Sequence, residues 1–97
     1  MTPFHNQVTY PTGTQPFGVT VADFNLDNKV NIAVANYGDS VISVHFNAGN
    51  GTFRSQVIYE TGRQPVHVTV SDLNGDSIPD IIVANSGSNN IDILLHR

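Results

Sequence analysis

The sequence contains no cysteine. Disulfides therefore do not compensate for a small core, and thiol chemistry and cysteine-type zinc sites are excluded. Charge is scarce as well: 12% of the 97 residues are charged, and only four are Lys or Arg. At a formal net charge of −4, the chain lacks the basic face that a general nucleic-acid binder needs. No apolar run reaches membrane-spanning length, which argues against insertion into a bilayer. The opening "MTPFHNQ" has neither the basic nor the apolar part of a signal peptide. No segment sustains a 3.6-residue apolar period, so helices are not expected. What remains is a polar, largely uncharged chain with 39% hydrophobic residues, enough for one small domain with a modest core.

The chain is made of two copies of one unit. Phe4–Ala48 aligns with Phe53–Arg97 without a gap, and 20 of the 45 pairs are identical. The identities include Tyr10/Tyr59, Gly13/Gly62, Pro16/Pro65, Asp23/Asp72, Asp27/Asp76 and Asn36/Asn85. A period near 49 residues is the signature of a repeat architecture. The expected division is 1–52 for the first repeat and 53–97 for the second.

Each unit reads as four short strands. "QVTY" and "QVIY" alternate, as do "FGVTVA" and "VHVTVS". "NIAVAN" and "DIIVAN" follow, then "VISVHF" and "NIDILL". A period of two with β-branched residues indicates strands. Gly and Pro in "TGTQP" and "TGRQP" separate one sheet from the next, and "NAGNGTF" carries the Asn-Gly of a hairpin. The expected fold is all-β, with four-stranded antiparallel sheets of the kind that form propeller blades.

Strand order has a consequence. "FHNQVTY" reads as the outermost strand of a sheet whose inner three strands are missing. "NIDILL" reads as a third strand without its outer partner. Two such sheets do not close a ring, and open edges attract pairing. The expectation is a homo-oligomer in which Phe4–Tyr10 of one chain completes the last sheet of the next. Three chains give six blades and four give eight, through head-to-tail contacts that close.

The few carboxylates are concentrated in the loop between the second and third strands of each unit. "DLNGDSIPD" places Asp72, Asn74, Asp76 and Asp80 in nine residues, and "DFNLDNKVN" places Asp23, Asn25, Asp27 and Asn31 in the same frame. Calcium takes six to eight oxygen ligands on a flexible frame. Alternate residues of a tightly wound loop can turn their oxygens to one centre. Backbone carbonyls near Ile78 and Lys29, with water, would complete the two shells. Gly75 eases the turn. The first loop has Leu26 in that place and Asn31 for the last carboxylate, so weaker binding is expected there. The competing reading is a pair of Asx-rich turns whose side chains cap backbone amides. An EF-hand is excluded, because its twelfth position must be Glu between helices; Val34 and Val83 stand there, within strands.

The frames "VTVADFNLDNKVNIAVANYG" and "VTVSDLNGDSIPDIIVANSG" resemble FG-GAP, or VCBS-type, repeats. These occur in integrin α-subunit propellers, some fungal lectins and many secreted or surface proteins. The resemblance covers nearly the whole chain. It implies a β-propeller with one structural calcium ion per blade, and an extracellular or cell-surface setting. Carried over by position, the ligands are Asp72, Asn74, Asp76 and Asp80, and Asp23, Asn25, Asp27 and Asn31. "FG" survives as Phe17-Gly18 and becomes Val66-His67 in the second copy. "VANYG" and "VANSG" replace the Gly-Ala-Pro of integrin blades.

Catalysis is not expected. His5, His45, His67 and His96 show no close metal spacing and no counterpart at the 49-residue offset. No nucleophile elbow or Ser-His-Asp order is present. Asn50–Thr52 is a formal glycosylation sequon, but a hairpin turn explains its Asn-Gly without a glycan and is the favoured reading. Tyr10, Tyr37, Tyr59 and Phe17 are candidates for sugar contacts, though core packing is the expected role for most of them; Tyr37, in a turn with Ser86 as its counterpart, is the best placed. The expected role is a calcium-binding scaffold for proteins or glycans. The alternatives are an engineered or fragmentary assembly unit with no native ligand, and a propeller appendage of a larger secreted enzyme.

Overall fold

Hydrogen-bonded pairing turns the alternating segments into two antiparallel sheets. The computed structural model describes residues 8–24 and 26–95. The strands are β1 (Pro16–Ala22), β2 (Asn31–Asn36), β3 (Val41–His45), β4 (Val57–Glu60), β5 (Pro65–Ser71), β6 (Asp80–Asn85) and β7 (Asn90–Leu94). The first sheet runs β1-β2-β3-β4 and the second β5-β6-β7. The protein is all-β, with no helix among the described residues.

The two sheets repeat each other in register as well as in sequence. Val19 pairs with Val34 and Val68 with Val83; Ile42 lies opposite Ala35 and Ile91 opposite Ala84. Both first strands carry an irregularity just after the proline, at Pro16/Gly18 and Pro65/His67. Proline lacks the amide for continuous pairing, so the strand enters the sheet through a bulge. Positive φ angles also recur at the same offset: Gln15 and Gln64, Leu26 and Gly75, Asn28 and Ser77, Ser40 and Asn89. The path of the backbone is therefore common to both copies, even where the residue is not.

The "NAGNGTF" stretch forms the expected hairpin. Asn47 bridges Phe53, the Ala48 amide donates to the Thr52 carbonyl at 2.9 Å, and Gly49 and Gly51 supply positive φ. This hairpin delivers β4 to the outer edge of β3, where Tyr59 pairs with Ile42 and Val57 with Val44. The sequence boundary at 52/53 thus falls inside the first sheet. The other expected outer strand differs. Its residues 4–7 lie outside the described residues, and Val8–Tyr10 take no strand conformation. A strand needs a hydrogen-bonding neighbour, and the described part of this chain provides none for that segment.

The core lies between the sheets. Ala33, Ala35, Ile42 and Val44 of the first sheet pack with Val68 and Val83 of the second, and Phe24 closes one end. Period two puts these residues on facing surfaces. At Gly18 the approach is tight: an added Cβ would meet the His67 Cα and the Val66 carbonyl oxygen, each at 3.2 Å.

Two buried asparagines hold the turns. Asn36 ends β2, accepts the Gly13 amide at 3.1 Å and donates to the Ser43 hydroxyl at 2.9 Å. That hydroxyl in turn donates to the Gln56 side chain. In the second sheet Asp92 replaces Ser43. The Asp92 carboxylate accepts both the Gly62 amide, at 2.6 Å, and the Asn85 side-chain amide, at 2.9 Å. The Asn85 Oδ1 has no hydrogen-bond partner among the described residues. A Cβ at Gly62 would come within 2.9 Å of the Asn85 side chain, which explains why Gly is required in "TGRQP".

Candidate metal loops

Each carboxylate loop leaves the first strand of its sheet and returns at the second, so the sheet fixes both of its ends. In the second loop the Asp72 carboxylate organises the turn. Its Oδ1 accepts the amides of Gly75 at 2.9 Å and Asp76 at 3.2 Å, and its Oδ2 accepts Ser77 at 2.8 Å. Asp76 Oδ1 accepts the Ile78 amide at 3.0 Å. The first loop repeats this winding. Asp23 accepts Asp27 at 3.1 Å and Asn28 at 2.8 Å, and Asp27 accepts Lys29 at 3.0 Å. Leu26 adopts φ 60° where Gly75 has 76°, so the first copy keeps the turn despite a side chain ill-suited to it.

These amides set the electrostatics. At Asp72 the Ser77 amide has the largest effect, and with Gly75 and Asp76 it holds the carboxyl below its usual value against partial desolvation. At Asp23 desolvation is the largest single influence and acts upward, but the amides of Asn28, Asp27 and Leu26 together outweigh it. Both carboxylates are thereby held ionised, the form a cation requires. The Asp76 carboxyl also lies within hydrogen-bonding reach of Asp72, and that of Asp27 within reach of Asp23. Two carboxylates brought this close repel each other, and a shared cation relieves that repulsion.

The last member of each set is placed differently. Asp80 and Asn31 are the first residues of β6 and β2 and are fully buried. Asp80 Oδ2 accepts the Leu73 amide at 3.0 Å, and Asn31 Oδ1 accepts the Asn47 amide at 2.9 Å. They tie the loop to neighbouring backbone. Asn74 is exposed, and Asn25 lies outside the described residues. Among the described residues, no three His, Asp or Glu side chains are gathered to hold one ion. The structure therefore brings the carboxylates together in pairs, Asp72 with Asp76 and Asp23 with Asp27. In donor chemistry the second loop fits a hard cation, because all its candidate side chains present oxygen. The Lys29 side chain runs toward the hairpin, with its Cε 3.1 Å from where a Gly49 Cβ would stand.

The remaining candidates divide by burial. His45 is buried, and neither ring nitrogen has a hydrogen-bond partner among the described residues. His67 is exposed; His5 and His96 lie outside the described residues. Tyr37 is half-buried and packs edge-on to Phe17 at 5.0 Å. Tyr59 lines a cavity of about 180 Å³ between the sheets, with Phe24, Val44 and Leu94. The network around Asn36 and Asn85 was not singled out as structural by sequence reasoning; their identity at the 49-residue offset was its available signal.

A repeated antiparallel meander with an Asp-rich loop after its first strand defines a class of repeat. Residues 23–83 match the family model for the FG-GAP-like repeat. The chain belongs to that family, whose repeats are of the β-propeller type. No curated protein and no solved structure matches the chain significantly.

Proposed function

We propose that the protein is a non-catalytic, calcium-binding propeller unit that assembles with copies of itself into a closed ring and serves as a scaffold for proteins or glycans. The observation that carries the calcium reading is the repeated pairing of carboxylates, Asp72 with Asp76 and Asp23 with Asp27, on one backbone path. Asp72, Asn74, Asp76 and Asp80 would hold the stronger ion, with the Ile78 carbonyl. Asp23, Asn25, Asp27 and Asn31 would hold the weaker, with the Lys29 carbonyl. The ion would neutralise clustered carboxylates and fasten the loop between two strands, which is a structural role. Family membership supports an extracellular or cell-surface setting.

Binding to the folded state alone stabilises it by linkage, by about 2.7 kcal/mol at a free concentration one hundred times Kd. Calorimetric titration with calcium, paired with melting in calcium and in EDTA, tests the reading. Saturable binding and a lower melting temperature in EDTA are expected. Equal melting temperatures with no binding heat would refute it. Scaffold function is tested separately by glycan-array and pull-down binding with the assembled protein.

A further inference from the structure

We infer that the partner surface for a second copy is already defined inside the chain: copies join head to tail by repeating the contact between the two sheets. This deepens the self-assembly part of the proposed function and rests on it.

Within the chain, one face of the first sheet packs on the opposite face of the second. Phe24 and Val44 are 3% and 1% exposed in that contact, and Val68 of the second sheet, in the same core, is 2% exposed. Of the core residues' 49-residue counterparts on the two outer faces, Leu73, Ile91, Ile93 and Val19 are exposed, Ile82 and Ala84 are half-buried, and Val34, equivalent to Val83, is buried. Leu73 and Ile93 of the second sheet, equivalent to Phe24 and Val44, are 46% and 49% exposed. Val19 of the first sheet, equivalent to Val68, is 66% exposed. Single exposed apolar residues are ordinary, but two complementary faces that both match a contact already buried in the same molecule are not. Because the faces differ, the contact is heterologous, and each copy offers one of each.

Two details of fit support this. Gly18 lies against the His67 backbone within the chain. Between copies, His67 of one would lie against Gly18 of the next, so one side of the close approach remains a glycine. Second, Tyr59 from β4 lines the intersheet cavity beside Leu94. Its counterpart Tyr10 already lies against His45, the counterpart of Leu94, with ring centroids 6.0 Å apart. The Tyr10 hydroxyl accepts the Phe53 amide at 3.1 Å. Val8–Tyr10 is thus held beside the first sheet much as β4 is held beside the second. By the β3–β4 register, Val8 would lie opposite Ile93, Thr9 opposite Asp92, and Tyr10 opposite Ile91 on β7 of the preceding copy. That edge of β7 has no neighbour among the described residues.

The test uses the full chain in calcium and measures mass by sedimentation over a concentration series. Val19→Asp and Ile93→Asp each place a carboxylate on one outer face, and circular dichroism confirms that each variant remains folded. Wild type is expected to assemble. Each variant alone should weaken assembly by more than about a hundredfold. An equimolar mixture should form a 1:1 pair, because one variant keeps each face intact. If wild type assembles and neither substitution matters, these faces are wrong while self-assembly stands. If either variant pairs with itself, or the mixture stays monomeric at every soluble concentration, head-to-tail joining is refuted. A wild-type chain that is folded and monomeric throughout overturns self-assembly altogether, including the case in which further repeats of a longer chain cover these faces.

Discussion

Replacing Asp80 by Asn separates the two things that carboxylate does. Asp80 is fully buried and accepts the Leu73 amide at 3.0 Å. Asn is nearly the same shape and keeps one oxygen for that bond. Asn31, at the same position of the first copy, also keeps a side-chain oxygen on a backbone amide, that of Asn47 in the hairpin at 2.9 Å. In EDTA the substitution should therefore change stability by no more than about 1 kcal/mol, the worth of one ordinary hydrogen bond. In the proposed calcium site the substitution would remove a charged oxygen from the ion's shell. Metal-site substitutions commonly weaken affinity by about 10- to 100-fold. At a calcium concentration one hundred times the wild-type Kd, a hundredfold loss cuts the linkage stabilisation from about 2.7 to about 0.4 kcal/mol. The gap between the calcium and EDTA measurements should thus shrink by about 2.3 kcal/mol. For a chain of this size that corresponds to roughly 9–18 °C in melting temperature. Urea denaturation of both proteins in both buffers gives the four numbers required. The difference of differences cancels any purely structural cost. If Asp80→Asn costs the same with and without calcium, Asp80 does not act through the ion.

Other outcomes follow from the same geometry. Asn36→Ala would leave the Gly13 amide without its acceptor and the Ser43 hydroxyl without its donor, and should cost about 2–4 kcal/mol by urea denaturation. Gly62→Ala would drive a methyl into the Asn85 side chain, within 2.9 Å; a loss of about 1–3 kcal/mol is expected, and a neutral result would mean the loop relaxes freely. Acid should weaken the fold through Asp23 and Asp72. Their carboxyls are held below the usual 3.8, so their contribution is complete above that value and is lost as pH falls through the lower folded one. Asp72→Asn should flatten the stability profile in that acid window, and urea midpoints from neutral pH down to pH 2 would reveal it.

Much of the fold was legible in residues that repeat. Val19/Val68 and Val34/Val83 announced strands because successive side chains of a strand point to alternate faces, giving a period of two. The "NAGNGTF" hairpin followed from glycines able to take positive φ. Residues 57–60, although they begin the second sequence copy, were readable as the outer strand of the first sheet from strand order alone. Side-chain direction was harder to read. Spacing put four oxygens in each loop but did not show that Asp80 and Asn31 are buried and bound to backbone amides. A nine-residue motif constrains which atoms are near, and the surrounding strands decide where they point. The Asn36 and Asn85 networks were hidden for a related reason: Asn two residues before Gly reads as a turn residue, and only the contact with Gly13 or the Asp92 carboxylate reveals a buried tie. The burial of His45 had no signal at the repeat offset, where its counterpart is Leu94, and its ring neighbour Tyr10 is far away in sequence.

The unit that was duplicated and the unit that packs are out of phase. β4 is inherited with the second copy yet hydrogen-bonds to the first sheet. Each added copy therefore spends its leading strand on the sheet before it and leaves its own sheet to be finished by whatever comes next. Lengthening by further duplication would move the two unsatisfied ends apart without removing either. Inheritance by this route adds interior seams while the number of joining surfaces stays at two, and the choice among chain lengths is then made by curvature, at the point where the first and last sheets meet.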